Sequence, residues 1–232
     1  MQSHRLAGAN GSETSQVISR YLEAIYYMRA EGETVTNARL ADWLAVSRPT
    51  VTAGLRRMVR DGLLRGDAGK EVALAPEGER IAASIVRRHR IMERWLTDAL
   101  GLDWVTADEE AARLEHAVSD VVERRLYEAL GRPTTCPHGN PIPGHSKPVP
   151  HEVHLGRLRE GSEARITRVS EVAEREAPRL LSYLHDRGLV PGSTLTVVEV
   201  DDVGRTMRVR AGGRELTLSH ETASRVWALP AR

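Results

Sequence analysis

The sequence predicts a mainly α-helical chain that ends in a small β domain. The evidence is a helix, tight turn and second helix at residues 36–64, two long amphipathic patterns within residues 76–130, and short β-rich runs in residues 156–232. We expect four consecutive parts: a winged helix-turn-helix at 1–75, a helical domain at 76–131, a proline-rich linker at 132–155 and a barrel-like β domain at 156–232.

Composition limits the functions open to this chain. Its 232 residues suffice for two domains or more, and 41% apolar residues supply a core. The net charge is only +1, so affinity for nucleic acid must come from local basic patches. No apolar run has the length of a membrane span and no signal-peptide pattern is present, so we expect a cytoplasmic protein with no membrane partner. The lone Cys136 suits a reducing compartment.

Residues 36–64 have the features of a helix-turn-helix. We expect Thr36 to cap a first helix at 37–45 and Ser47 to cap a second helix, in whose first turn Pro49 is tolerated. Apolar residues recur in the second helix at helical spacing, at Val51, Leu55, Met58 and Val59. This spacing predicts that one face of the helix is buried.

The other face of the second helix is basic, with five arginines and one acid between residues 48 and 65. A basic second helix is typical of DNA-reading units, and the alternative is a surface hairpin with a solvated arginine face. We expect three residues to face base edges, Arg48, Thr50 and Ala53, and five to contact phosphates, Ser47, Thr52, Arg56, Arg57 and Arg60.

Residues 63–75 alternate around a turn signal at residues 67–70. A hairpin directly after a recognition helix predicts a wing, with Arg65 or Lys70 against a phosphate.

Two long helices are predicted at residues 76–100 and 107–130. The second has an apolar stripe that we expect in the core, made of Ala111, Leu114, Val118, Val121 or Val122, and Leu126. A winged helix does not need these two helices, so they predict a dimerisation layer and a homodimer that reads paired half-sites.

Residues 131–155 contain six prolines, which predict an extended linker. The segment also contains four histidines, at positions 138, 145, 151 and 154, which suggest a metal-binding tract. Their irregular spacing favours solvated linker histidines. Beyond the linker, five β-rich runs and one helix, at about residues 174–185, predict the barrel-like domain.

The middle helices contain a pattern that suits a metal ion. His89 and Glu93 are spaced i, i+4 and project from one helix face, while Asp108, Glu115 and His116 lie close together on the next predicted helix. Mixed histidine and carboxylate ligands suit Mn²⁺, Fe²⁺, Co²⁺ or Zn²⁺, and the lack of a thiolate argues against a soft site. The alternative is a solvated acidic helix with one buried histidine.

Together these residues resemble those of the diphtheria toxin repressor-like metalloregulators, which are iron- or manganese-dependent transcriptional repressors. The matching stretches occur in the family's order along most of the chain: YLEAIY (21–26), SRPTVTAGLRRMVRDGLL (47–64), HRIMER (89–94), LEHAVSDVVERRL (114–126) and HGNPIPG (138–144). The C-terminal segment, with GLVPGS at 188–193, looks like the family's SH3-like, ferrous-transport-A-like domain. The resemblance implies a dimer that binds operator DNA with a divalent metal as corepressor.

The resemblance also implies roles for individual residues. His89 and Glu93 match ancillary-site ligands, and Asp108 stands where many members have histidine. Glu115 and His116 match primary-site ligands, Glu23 matches a carboxylate of the manganese branch, and Glu176 is our choice for a ligand from the C-terminal domain.

Two positions depart from the family's primary site, namely Arg20 in place of methionine or aspartate and Ala112 in place of cysteine or glutamate. We therefore hypothesise that Arg20 replaces the primary-site cation by pairing with Glu115. The alternative is that Arg20 turns outward to water. Metal sensing then rests on His89, Glu93 and Asp108.

Three functions are compatible with these patterns. The favoured one is a metal-dependent repressor of metal homeostasis genes, with Mn²⁺ as preferred cofactor, Fe²⁺ next, and Co²⁺ or Zn²⁺ as alternatives. The second is a metal-independent DNA-binding regulator with a degraded sensor site. The third is a metallohydrolase with Glu115 as base. No nucleophile elbow or HExxH motif supports the hydrolase, so we expect neither enzyme activity nor a small-molecule substrate.

Overall fold

The computed structural model of the chain describes residues 9–65, 71–172 and 177–231. The chain folds as two compact units, Met1–Val86 and Arg87–Arg232. The predicted fold class is confirmed, with a helical winged helix-turn-helix, a helical domain and a small β-sheet domain in that order.

The N-terminal unit is the predicted winged helix-turn-helix. It consists of α1 (Ala9–Ala30), α2 (Asn37–Leu44), α3 (Arg48–Arg60), strands β1 (Leu64–Arg65) and β2 (Ala73–Leu74), and the first turns of α4 (Pro76–Asp98). β1 and β2 pair antiparallel, with Leu64 opposite Leu74. The predicted wing turn at 67–70, including Lys70, lies outside the described residues.

Local capping explains where α2 and α3 begin. The Arg39 N–H donates to Thr36 Oγ1 at 3.2 Å, and the Thr50 N–H donates to Ser47 Oγ at 3.3 Å. Ala45 ends α2 in the left-handed conformation, with φ of 54°, which turns the chain into α3.

Gly54 allows α3 to pack closely on α1. A Cβ atom added there would lie 3.1 Å from both Cζ and Oη of the buried Tyr21 side chain. A glycine in a helix interior lowers helix stability by about 1 kcal/mol relative to alanine. The close approach of the Tyr21 side chain explains why glycine nevertheless occupies this position.

The helical part of the C-terminal unit differs from the prediction. The single helix predicted at residues 107–130 is two helices, α5 (Trp104–Leu114) and α6 (Asp120–Ala129). The Val122 N–H donates to Ser119 Oγ at 3.4 Å, so Ser119 starts a new helix instead of continuing the old one.

The break also changes which apolar residues are buried. Ala111 is buried as expected, but three members of the predicted core stripe are exposed on the chain surface, namely Leu114, Val121 and Val122. The predicted core position of these three residues is therefore wrong for the single chain, because the break after Leu114 rotates α6 relative to α5.

The β domain is one six-stranded antiparallel sheet with the strand order β3-β8-β4-β5-β6-β7. Its strands are β3 (Val153–His154), β4 (Glu163–Val169), β5 (Thr194–Asp201), β6 (Thr206–Ala211), β7 (Arg214–Ser219) and β8 (Val226–Pro230), with helices α7 (Pro178–Asp186) and α8 (His220–Ser224). Register shifts between Ile166 and Arg168 and between Val197 and Glu199 mark bulges, which coil the sheet around its core.

The proline-rich segment is not the extended, solvated stretch that its composition predicts. Residues 136–140 are buried, and the Cys136 N–H donates to the Asn140 carbonyl at 2.9 Å. Gly139 closes this turn with φ of +88°. The prolines here shape a tight turn instead of a linker, because the loop finds backbone partners on β4.

Two hydrogen bonds join this turn to the sheet. The Val169 N–H donates to the His138 carbonyl at 2.9 Å, and Asn140 Nδ2 donates to the Val169 carbonyl at 3.0 Å. The turn is thus an extension of the β domain.

None of the described helices combines the length and apolar composition needed to cross a membrane.

Candidate metal centre

Helix α4 presents His89 and Glu93 on its buried face, one turn apart. Asp108 of α5 faces them, with its Oδ1 atom 3.2 Å from His89 Nε2. Glu93 Oε1 lies 3.8 Å from the same histidine nitrogen. One ligand atom from each of the three side chains lies within 4.8 Å of the other two, which is close enough to share a cation. The structure brings the three predicted ancillary ligands together, and their binding of metal stays a prediction.

Glu115 orients His89 from the other side of the ring. Glu115 Oε2 lies 2.8 Å from His89 Nδ1, and the carboxylate is buried at the C-terminal end of α5. Histidines that bind metal through one nitrogen commonly donate the other N–H to a carboxylate, which fixes the tautomer. His116 Nε2 is 3.6 Å from Glu115 Oε1.

A second group of potential ligands includes the same glutamate. Cys136 and His138 of the proline-rich turn contribute ligand atoms that lie within 4.8 Å of each other and of Glu93. Glu93 Oε1 is 3.1 Å from His138 Nδ1. The His138 ring packs edge-on against Trp104, with 4.7 Å between ring centroids. All three side chains are buried.

Burial and charge act in opposite directions on the acid–base properties of the centre. Burial alone would lower the pKa of His89, but the carboxylates of Glu93, Asp108 and Glu115 raise it well above the ordinary value. Burial would likewise raise the pKa of Glu93, but His138 and His89, with Arg90, lower it to about 2. Glu93 is therefore an anion that is almost completely removed from water.

The arrangement suits a bound cation. Glu93 Oε1 accepts no hydrogen bond from any residue that the structure describes, although the side chain is only 1% exposed. A buried carboxylate oxygen without a hydrogen bond is costly unless a cation compensates for it. Histidine, carboxylate and thiolate ligands are those of first-row divalent metals.

Arg90 and Arg94 of α4 hold the proline-rich turn beside the centre. Arg90 Nη1 donates to the Pro141 carbonyl, and Arg94 donates to the carbonyls of Thr135 and Cys136, both at 3.2 Å. Cys136 and His138 therefore lie on a fixed turn.

Sequence reasoning missed Cys136, His138 and Glu171 as residues of this region. The signal was the CPHGN sequence at 136–140, in which Cys136 and His138 are two residues apart. The expectation that His138 is solvated is wrong, since it is fully buried. The premise that no sulfur ligand lies near the site is also wrong, because the Cys136 side chain lies within 4.8 Å of Glu93 and His138. Glu176 lies outside the described residues.

The N-terminal unit contains the predicted DNA-binding residues. Arg48, Thr50, Ala53, Arg56, Arg57 and Arg60 are exposed along α3, as is the capping residue Ser47. Thr52 is half-buried, and its hydroxyl accepts from Asn37 Nδ2 at 2.7 Å and donates to the Arg48 carbonyl at 3.0 Å. Glu23 and Arg20 lie on α1 of the same unit. The predicted pairing of Arg20 with Glu115 stays a prediction.

Three family models match successive parts of the chain. Residues 13–70 match the N-terminal DNA binding domain of iron dependent repressors, residues 75–144 match their metal binding and dimerisation domain, and residues 153–230 match the FeoA domain.

Individual relatives agree with these matches. The iron-dependent repressor IdeR of Mycobacterium tuberculosis is 38% identical over 226 residues, which cover 93% of this chain and 97% of that protein. A solved structure of a manganese-dependent transcriptional repressor in complex with manganese is 30% identical, with a TM-score of 0.83, and covers 92% of this chain and 100% of that one. The structure of ScaR with bound Zn²⁺ is 29% identical, with a TM-score of 0.76 over 91% of this chain and 98% of that one. With its helix-turn-helix, helical domain and β domain in the family's order, the chain belongs to the diphtheria toxin repressor-like family of iron-dependent repressors.

Proposed function

We propose that this chain is a transcriptional repressor that binds operator DNA as a homodimer when a divalent metal occupies its helical domain, and that it controls metal homeostasis genes. The observation that carries the proposal is the group formed by the buried His89 and Glu93 and the half-buried Asp108. Members of the family are DNA-binding repressors and not enzymes, so a metallohydrolase is not favoured.

His89, Glu93 and Asp108 would hold the corepressor ion. A bound divalent cation supplies positive charge that compensates the carboxylates and joins α4 to α5 at this point. Glu115 fixes the His89 ring through Nδ1, so that Nε2 is left to face Asp108 and Glu93. One nitrogen and two carboxylates form a hard ligand set, which supports Mn²⁺ first and Fe²⁺ next for these three ligands.

Helix α3 would be the recognition helix. Its first residues, Arg48, Thr50 and Ala53, are free to meet base edges, and Arg56, Arg57 and Arg60 supply charge for phosphates. Operator DNA lies inside the cell, and we expect the protein to act in the cytoplasm.

The test is binding of the full chain to promoter DNA, measured by fluorescence anisotropy. We expect chelator to abolish specific binding and Mn²⁺ or Fe²⁺ to restore it. A His89→Ala variant should need much more metal, whereas the exposed control Glu109→Gln should behave like the wild type.

A metal-independent regulator would bind equally well with chelator and with metal. That result would refute the proposal and favour a regulator with a degraded sensor site. The observation that favours this second function is the presence of Arg20 and Ala112 at two positions of the family's primary site.

A further inference from the structure

The outer face of the β sheet has a groove that shares no residue with the metal centre. The groove has a volume of about 480 Å³ and lies where β8, β4, β5 and β6 run side by side. We propose that it binds a small organic anion, whose carboxylate or phosphate group lies between the side chains of Arg165 and Arg210. This site gives the β domain a ligand of its own, beyond the proposed repressor function.

The alternation of side chains along the strands places both arginines on the outer face. Arg165 stands between two buried residues of β4, and Arg210 stands between two buried residues of β6. Since successive strand residues point to opposite faces, both side chains project away from the core. Thr194 and Thr196 project to the same side from β5, with the buried Leu195 between them.

The strand register brings these side chains together over β5. Arg165 lies opposite Thr194, and Arg210 lies opposite Thr196. Neighbouring strands are about 4.8 Å apart, so the two arginines stand on strands about 10 Å from each other. An oxyanion above the two threonines is therefore within reach of both long guanidinium side chains.

Both guanidinium groups have donors left for a ligand. Arg165 is exposed, and no residue that the structure describes forms a hydrogen bond or an ion pair with its side chain. Arg210 Nη2 donates to Glu215 Oε1 at 2.6 Å, which orients this side chain and leaves most of its N–H groups available. Planar guanidinium groups bind carboxylate and phosphate oxygens through paired N–H donors.

The charge of the groove favours an anion. Arg165 and Arg210 line it together with a single acid, Glu163 at the start of β4. Glu163 is exposed, so solvent weakens its repulsion of a bound anion. The lining therefore has a net positive charge that a carboxylate or a phosphate group would neutralise.

The size and the floor of the groove indicate an organic ligand. Pockets for small molecules usually measure about 300–1,000 Å³, a range that includes this groove, whereas a single phosphate ion would fill only a small part of it. Leu229 and Pro230 of β8 add apolar surface, and Leu229 lies directly opposite Arg165. A carbon skeleton would cover these two residues while its charged group faces the arginines.

The experiment is an NMR titration of the full chain, freed of metal on a chelating resin, in which the amide signals of Thr194 and Thr196 report binding. Succinate and citrate test the carboxylate, AMP and phosphoglycolate test the phosphate, and succinamide and adenosine are uncharged controls. We expect at least one of the anions to shift both signals in a saturable way, and neither uncharged compound to do so.

Variants of the lining residues locate the bound anion. Arg165→Ala and Arg210→Ala should each weaken its binding by about tenfold, because each removes charge-assisted hydrogen bonds. Glu163→Gln should strengthen binding, since it removes the negative charge of the groove. Arg205→Ala is the matched control and should leave the affinity unchanged, because Arg205 is an exposed arginine in the turn at the opposite end of β5.

Three results would overturn the inference. These are the absence of a shift with all of the anions, equal binding of the uncharged compounds, and equal affinities in Arg165→Ala and Arg205→Ala. Weaker binding in Glu163→Gln would show that the groove selects a cation, which also contradicts it. Thermal unfolding checks that each variant is folded. The titration contains neither metal nor DNA, so its outcome is independent of the repressor proposal.

Discussion

Arg90 and Glu171 form an ion pair that is almost completely buried. Arg90 Nη2 lies 2.6 Å and Nε 2.7 Å from Glu171 Oε1, with side chains 3% and 5% exposed. Arg90 is on α4, next to the proposed metal ligand His89, and Glu171 follows β4 of the β domain. The pair therefore joins α4 directly to the end of β4.

We expect Glu171→Ala to lower the free energy of unfolding of the C-terminal unit by about 3–5 kcal/mol, because it leaves a buried guanidinium without its carboxylate. Urea unfolding followed by tryptophan fluorescence measures the change. The control is Glu110→Ala, whose partner Arg113 is exposed, and it should cost less than about 1 kcal/mol. Equal effects of the two changes would show that the buried pair contributes no more than a surface pair.

Gly54→Ala should destabilise the N-terminal unit by about 1 kcal/mol, even though alanine is the better helix former, because the new methyl group crowds Tyr21. Removing the Tyr21 hydroxyl relieves one of the two closest contacts. The same Gly54→Ala change should therefore cost less in a Tyr21→Phe background, which thermal unfolding of the four proteins measures. An identical cost in both backgrounds would exclude crowding by this hydroxyl.

Arg57→Ala should weaken operator binding and reduce the slope of log K against log salt by about one, as expected for the loss of one phosphate contact. Arg57 is exposed, and its nearest acid, Asp61, is 3.7 Å away. Arg113→Ala on α5 removes an equally exposed arginine and should leave the slope unchanged. Unaltered affinity and slope in Arg57→Ala would remove this residue from the DNA interface.

Metal titration should find His89→Ala far more damaging than Arg20→Ala. His89 meets three carboxylates in the centre. Its loss should weaken metal binding by more than the roughly 10- to 100-fold typical of an outer-sphere partner. Arg20 is a permanent cation and cannot itself bind the ion. Similar losses of metal affinity in the two variants would show that Arg20 also controls metal binding.

Val121→Asp should weaken the homodimer by ~10-fold or more, because burying one valine side chain is worth about 1.5–3 kcal/mol. Val121 lies with Leu114 and Val122 among the exposed large apolar residues of the C-terminal unit. Val203→Asp is the control, since Val203 is 96% exposed in the turn between β5 and β6. Sedimentation velocity over a concentration series compares the two variants, and unchanged association of Val121→Asp would place the dimer interface elsewhere.

The parts that sequence predicts well are those fixed by neighbouring residues. The predicted starts of the two helices of the helix-turn-helix agree with those of α2 and α3, because Thr36, Ser47 and Pro49 act within one turn. His89 and Glu93 were recognised for the same reason, since i, i+4 spacing alone puts two side chains on one helix face.

The parts that sequence does not predict depend on distant partners. His138 is buried because its carbonyl accepts from Val169 and its ring packs on Trp104, which lie more than thirty residues away in either direction. The six prolines are evident from the sequence, but their number contains no information about those contacts. The break between α5 and α6 could have been predicted from Ser119, which is a local N-cap. The prediction of one continuous helix followed the apolar periodicity instead and was wrong.

The hydrogen bonds between the Cys136–Asn140 turn and Val169 have a consequence for the newly made protein. Val169 belongs to β4, which lies in the sheet between β5 and β8, and both of these strands are translated after β4. A chain still in synthesis has α4 and α5 complete while the turn that carries Cys136 and His138 lacks its support. A metal ion held by Cys136 and His138 would therefore require a formed β domain, and nascent chains that lack this domain should not capture an ion at these two residues.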